Sequence, residues 1–172
     1  MKKTIIILLI LFTVSICNAQ GSKKYVFSPS RSEYSMTFPS KPVLSEEKDY
    51  DDNQTLFRAF YDNESKQTII TAIIREMPQN TLSLESKKVV LKKLANDFIE
   101  TQNWENVSID FEDNYLGLIV TGNGYKYIAE KKVTYECKYI WGEHSILNIL
   151  LAAPADVYPT NIINDFIDSI KR

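Results

Sequence analysis

The chain changes its hydrophobic period several times, and each change marks an element. Tyr34, Met36 and Phe38 alternate with Glu33, Ser35 and Thr37, the period of two that predicts a strand with one buried face. Pro39-Ser40-Lys41-Pro42 ends it, because proline donates no ladder hydrogen bond and restricts the residue before it. A short strand over 43–49 and the acidic turn Asp49-Tyr50-Asp51-Asp52-Asn53 follow. Aromatics over 56–61 and β-branched residues over 68–74, separated by Asp62-Asn63-Glu64-Ser65, predict an antiparallel hairpin. The unbroken apolar character of Ile69-Ile70 and Ala72-Ile73-Ile74 predicts a second strand covered on both faces.

The period then becomes helical. Leu84, Leu91, Leu94, Ala95 and Phe98 form one stripe, with Asn80, Thr81 or Ser83 as N-cap, Glu85 at the positive end and a stop before Asn103. Lys87, Lys88, Lys92 and Lys93 fall on or beside the opposite face and read as a solvated surface. Val107, Ile109 and Phe111 restore the strand period, followed by 115–121, a turn at Gly122-Asn123-Gly124, and strands over 125–129 and 132–141. After a turn at Gly142-Glu143, the apolar run 146–153 predicts a central strand. Pro154 and Pro159 bracket a loop, and Thr160 caps a last helix whose Ile163, Phe166, Ile167 and Ile170 dock on the sheet. No internal repeat or low-complexity linker divides the chain, so an α+β domain over 33–172 follows a lead over 20–32.

Residues 1–19 have the layout of a cleavable export signal: Lys2 and Lys3, the apolar run 5–12, then small and polar residues. The run falls short of the roughly 20 residues a spanning helix needs. Ala19, with Cys17 two positions before it, marks cleavage after Ala19. The alternative is lipidation at Cys17, where Val14-Ser15-Ile16-Cys17 approaches a lipobox but places Ile16 at a position that usually holds a small residue. Cleavage leaves 153 of the 172 residues and moves the formal charge from −2 to −4, which excludes a basic nucleic-acid-binding face. Cys137 then has no partner for an intrachain disulfide and reads as a buried small hydrophobe on a strand.

Candidate chemistry is sparse. His144 is the sole histidine, beside a tight turn with no GxSxG elbow or cysteine-protease signature, and reads as an exposed turn residue. One histidine and one mature cysteine cannot build a zinc cage. The acidic turn 49–53 departs from an EF-hand, with Gln54 where glycine is needed and Phe60 where a bidentate glutamate is needed, so only adventitious calcium is expected there. The dispersed glycines form no phosphate loop, and no cofactor is implied. Asn53, Asn63 and Asn106 begin glycosylation triplets that bacterial export would leave unmodified. Tyr125, Tyr127, Tyr135, Tyr139 and Trp141 are all odd-numbered and would line one wall while the register holds, as a binding pocket or as packing beneath a helix.

The element order resembles the PsbP-like fold, shared with DcrB-like envelope lipoproteins and Ran-binding nuclear relatives. The carrying segments are Tyr34-Ser35-Met36-Thr37-Phe38-Pro39 and the Ala152-Ala153-Pro154 loop leading to Asp165-Phe166-Ile167-Asp168-Ser169-Ile170. The resemblance implies an antiparallel sheet flanked by helices on both faces, an α/β/α sandwich, and partner binding without catalysis. The expectation is an exported, non-enzymatic binding or accessory protein of a bacterial cell envelope, periplasmic or secreted, with a protein partner. The alternatives are a membrane-tethered lipoprotein, or a small-ligand carrier or enzyme with a pocket lined by Tyr135, Tyr139 and Trp141 and His144 as acid or base.

Overall fold

The β-branched and aromatic segments pair into one antiparallel sheet in the computed structural model, which describes residues 23–30, 32–49, 54–77 and 82–172. Its strands are β3 (Val43–Asp49), β4 (Gln54–Asn63), β5 (Thr68–Glu76), β6 (Glu105–Asn114), β7 (Gly117–Ile128), β8 (Lys131–Trp141) and β9 (Ser145–Pro154). They run in the order β3-β4-β5-β9-β8-β7-β6. The apolar run 146–153 is thus the central strand, as its continuous hydrophobicity predicts. A separate pair, β1 (Tyr25–Phe27) and β2 (Met36–Phe38), lies within and just after the stretch read as a lead. The export signal, Ala19 and Cys17 lie outside the described residues, as do 50–53 of the acidic turn and two of the three proposed caps, Asn80 and Thr81.

Helix α1 (Leu84–Gln102) starts where Ser83 accepts a hydrogen bond from the Ser86 amide and stops at Asn103 in the left-handed conformation. It lies over β6, β7 and β8. Its buried stripe is Leu91, Ala95 and Ile99; Leu84 and Leu94, assigned to that stripe from sequence, are exposed. Helix α2 (Asn161–Asp168), capped by Thr160, packs with β1 and β2 on the other face. There Phe38 meets Phe166 at a centroid distance of 4.9 Å, and Ile163 and Ile170 join Ile70, Ala72, Ile74, Leu147, Ile149 and Leu151. Helices therefore cover both faces of the antiparallel sheet, the expected α/β/α sandwich. The two covers are offset, however, so β5 is fully buried on one face and only half-buried on the other.

The turn expected at Gly122-Asn123-Gly124 is instead the middle of β7, whose pairing with β8 is unbroken from Leu118 to Ile128. The reversal falls at Ala129 and Glu130, both at positive φ. The glycines serve packing rather than turning. A Cβ at Gly122 would lie 2.7 Å from the Ile99 Cδ1 atom and 3.0 Å from Cys137 Sγ, and one at Gly124 would crowd Trp104. Their bare backbone lets α1 and Trp104 settle on the sheet.

Candidate functional site

The five odd-numbered aromatics do not form one wall. Directly opposed residues of an antiparallel pair share a face, and Tyr125 opposes Thr134, Tyr127 opposes Lys132, while Tyr139 opposes Val120. Odd positions of β7 therefore match even positions of β8. Tyr135, Tyr139 and Trp141 lie beneath α1, where Tyr135 stacks on Trp104 at 5.3 Å, Phe98 meets Trp104 edge-on, and Tyr139 and Trp141 are buried. Tyr125 and Tyr127 meet edge-on on the opposite face, with the Lys132 ammonium 3.8 Å from the Tyr125 ring centroid. The pocket expected from Tyr135, Tyr139 and Trp141 is corrected to a packed helix–sheet interface. The parity change comes from a two-residue reversal, which a count of odd positions along the chain does not register.

His144 sits in the exposed β8–β9 turn, with its ring 3.8 Å from the Glu143 carboxylate, and the neighbouring Ser145 hydroxyl donates to Glu33 rather than to the imidazole. The turn is organised by Glu33. That carboxylate accepts hydrogen bonds from the amides of Glu143 (3.1 Å), His144 (2.9 Å) and Ser145 (3.0 Å), from the Ser145 hydroxyl (3.0 Å) and from Arg172 Nε (2.7 Å). Burial pushes the Glu33 pKa up, but the hydrogen bonds from His144, Glu143, Ser145 and Arg172 outweigh it, and the net value lies below that of an ordinary carboxylate. A Cβ at Gly142 would collide with this carboxylate and with the Tyr34 hydroxyl, so glycine lets the turn close over Glu33. The cluster ties the start of the fold to its last residue and is a structural clamp. Cys137 is fully buried beneath α1, and burial pushes its thiol up to about 11, far from the thiolate form that a nucleophile needs.

A polar network occupies the face of β7 and β8 that α1 does not cover. Lys138 pairs with Glu136 at 2.8 Å and donates to Thr121 Oγ1, while the Tyr158 hydroxyl donates to Glu136 at 2.8 Å. Burial and the Glu136 charge raise the Tyr158 pKa, so the hydroxyl remains a donor that pins the β9–α2 loop to the sheet. Nearby, a cleft of about 720 Å³ opens between the β4–β5 connection, the β7–β8 turn and this loop, and is lined by Gln67, Lys131, Lys132, Ala155, Val157 and Thr160 among others.

The offset covers leave two open half-faces of different character. An antiparallel face in water is ordinarily polar. The open half on β6, β7 and β8 follows that rule, with Asp110, Glu112, Thr121, Asn123, Glu136 and Lys138. The open half on β3, β4 and β5 is mixed, since Ser45, Glu47, Arg58, Asp62, Thr71 and Arg75 share it with apolar residues. Registered pairing puts Val43 beside Phe60, with Leu56, Ile69 and Ile73 on the same face. Phe60 is 42% and Val43 72% exposed. Val90 and Leu94 of α1 are also solvent-exposed apolar residues. Nothing in the sequence pattern marked this surface, because Val43, Leu56, Phe60, Ile69 and Ile73 also fit a sheet core.

Among the described residues no three His, Cys, Asp or Glu side chains converge to hold a metal, and no helix is long and apolar enough to cross a membrane. No family model and no curated protein matches the chain. The fold matches the solution structure of cyanobacterial PsbP (CyanoP) from Synechocystis sp. PCC 6803 with a TM-score of 0.55 and 12% identity, covering 91% of this chain and 97% of that one. At that identity the likeness shows the fold, which is PsbP-like.

Proposed function

We propose that this chain is an exported, non-enzymatic binding or accessory protein of a bacterial cell envelope, and that its ligand is another protein. The exposed Val43–Phe60 pair on the open half-face of β3 and β4 carries the reading: exposed large apolar side chains rimmed by polar residues mark an interaction site. The leader pattern of residues 1–19 supports export, and the resemblance to PsbP-like proteins supports partner binding over catalysis. His144 is exposed in its turn, Cys137 is fully buried, and the carboxylate that faces the Ser145 hydroxyl, Glu33, is already engaged by three backbone amides and Arg172.

The test is co-purification from native envelopes. Phe60→Asp and Val43→Asp abolish association with envelope proteins while leaving the urea midpoint unchanged, whereas Glu112→Lys on the polar half-face has no effect. Equal loss in all three variants, or turnover of a defined substrate by the purified protein, overturns the reading. Intact mass of the native chain locates its start at Gln20 or at an acylated Cys17.

A further inference from the structure

The two edges of the sheet are built differently. Edge strands expose unpaired backbone groups that template further pairing unless they are blunted. The β6 edge is blunted: its register shifts between Glu105 and Ser108, with Asn106 at a φ of 51°, and it carries Glu105, Asp110, Glu112 and Asp113. The β3 edge also carries charges, Glu46, Glu47, Lys48 and Asp49, but has no break in register. Its ladder to β4 is continuous from Val43↔Phe60 to Asp49↔Gln54, and among the described residues no backbone group outside β4 bonds to it.

Apolar surface lies on both sides of that edge. On one face Val43 adjoins the exposed Phe60. On the other, a groove of about 360 Å³ between β1 and β3 is lined by Tyr25, Phe27, Pro29, Leu44, Glu46 and Phe57. A strand added outside β3 would present alternate side chains to these two surfaces, the geometry of strand-addition recognition. We infer that β3 accepts an extended segment of a partner protein, with apolar side chains beside Val43 and Leu44 and basic side chains beside Glu46 and Glu47. The inference rests on the protein-binding reading above and specifies its mode.

Charge identifies the occupant. Glu47 is paired with Arg58 at 2.8 Å, but Glu46 has no ion-pair partner among the described residues and stands exposed at the groove. A second copy does not fit. The antiparallel register that pairs all seven β3 residues sets Glu46 against its own copy, and like charges directly opposed are destabilising. The β6 edge of another molecule would bring further carboxylates to the same place.

The test is an NMR titration of the ¹⁵N-labelled protein with two end-blocked octapeptides of alternating valine and threonine, one with two central lysines and one with two central glutamates. The lysine peptide shifts the amides of Val43–Asp49, slows their solvent exchange and binds at least about tenfold more tightly than the glutamate peptide at low salt. Glu46→Lys, on an exposed site, reverses the preference. Shifts centred elsewhere, affinity independent of peptide charge, or an unchanged preference in Glu46→Lys overturns strand addition. If Phe60→Asp still blocks capture of the native partner in that event, only the mode falls; if capture is also insensitive to Phe60, the binding reading falls with it.

Discussion

Removing the Glu33 carboxylate should loosen the joint between the two ends of the fold. Five donors converge on it: three backbone amides of the β8–β9 turn, the Ser145 hydroxyl and Arg172. A shielded hydrogen bond to a charged group contributes roughly 1.5–3 kcal/mol, whereas water replaces an exposed one at little loss. Glu143 and His144 are exposed, so their amides find water; the buried Ser145 does not. Counting chiefly the two bonds from Ser145, Glu33→Ala destabilises by about 3–6 kcal/mol and Glu33→Gln, which keeps one acceptor, by about 1–2 kcal/mol. Urea unfolding with an unchanged m-value measures this as a lower midpoint.

The pH dependence supplies a second, independent readout. The folded-state pKa of Glu33 lies below its ordinary value of 4.5. Its ionised form therefore stabilises the fold fully above the unfolded-state pKa, and that contribution fades as pH falls through the folded-state value. The difference in stability between wild type and Glu33→Gln is accordingly largest near neutrality and narrows below about pH 5. A Glu33→Gln chain with the wild-type midpoint, or a difference that stays constant down to about pH 3, refutes the clamp.

Three further outcomes follow from the packing. Gly122→Ala forces a methyl against Ile99 and Cys137 and destabilises by about 1–3 kcal/mol; Ile99→Val in the same chain recovers part of this, as chemical denaturation shows. Cys137 stays unlabelled by a thiol reagent at pH 8 in the native protein and labels at the rate of opening as urea is added, since burial holds its thiol at about 11; prompt native labelling would contradict its placement. His144→Ala shifts stability by no more than about 0.5 kcal/mol, as surface substitutions do, and leaves partner capture intact in the co-purification assay.

Much of the architecture was legible because the elements carry strong local signals. The 146–153 run could only be a strand buried on both sides, and it is the central one. The helix over 84–102 is legible with Ser83 as one of three cap candidates, and the Thr160 cap and apolar stripe of α2 are read directly. What failed was information that resides in pairing. Gly122 and Gly124 look like turn residues, but their role is set by Ile99 and Trp104, which reach them from α1 and its exit. Leu84 and Leu94 share the helical spacing of a core stripe, yet α1 sits over β6–β8 and leaves them outside.

The surface proposed for binding was illegible for the same reason, and this follows from the offset of the two helices. Val43, Leu56, Phe60, Ile69 and Ile73 are each residues that fit a sheet core, although Arg58, Asp62 and Thr71 share their face. Their exposure depends on where α1 ends laterally, a property of packing across residues far apart in sequence. Had α1 lain over β4 and β5, the same apolar residues would be ordinary core. The inconsistency between an apolar pattern and an open position is therefore visible only after folding. The β3 edge, unbroken in register, lies on the border of that same surface, so a strand docked there would reach the half-face as well, while the bulged β6 edge borders the polar half. A partner strand at β3 would extend the sheet and cover the Val43–Phe60 side in one step, which a peptide held only by β6 could not do.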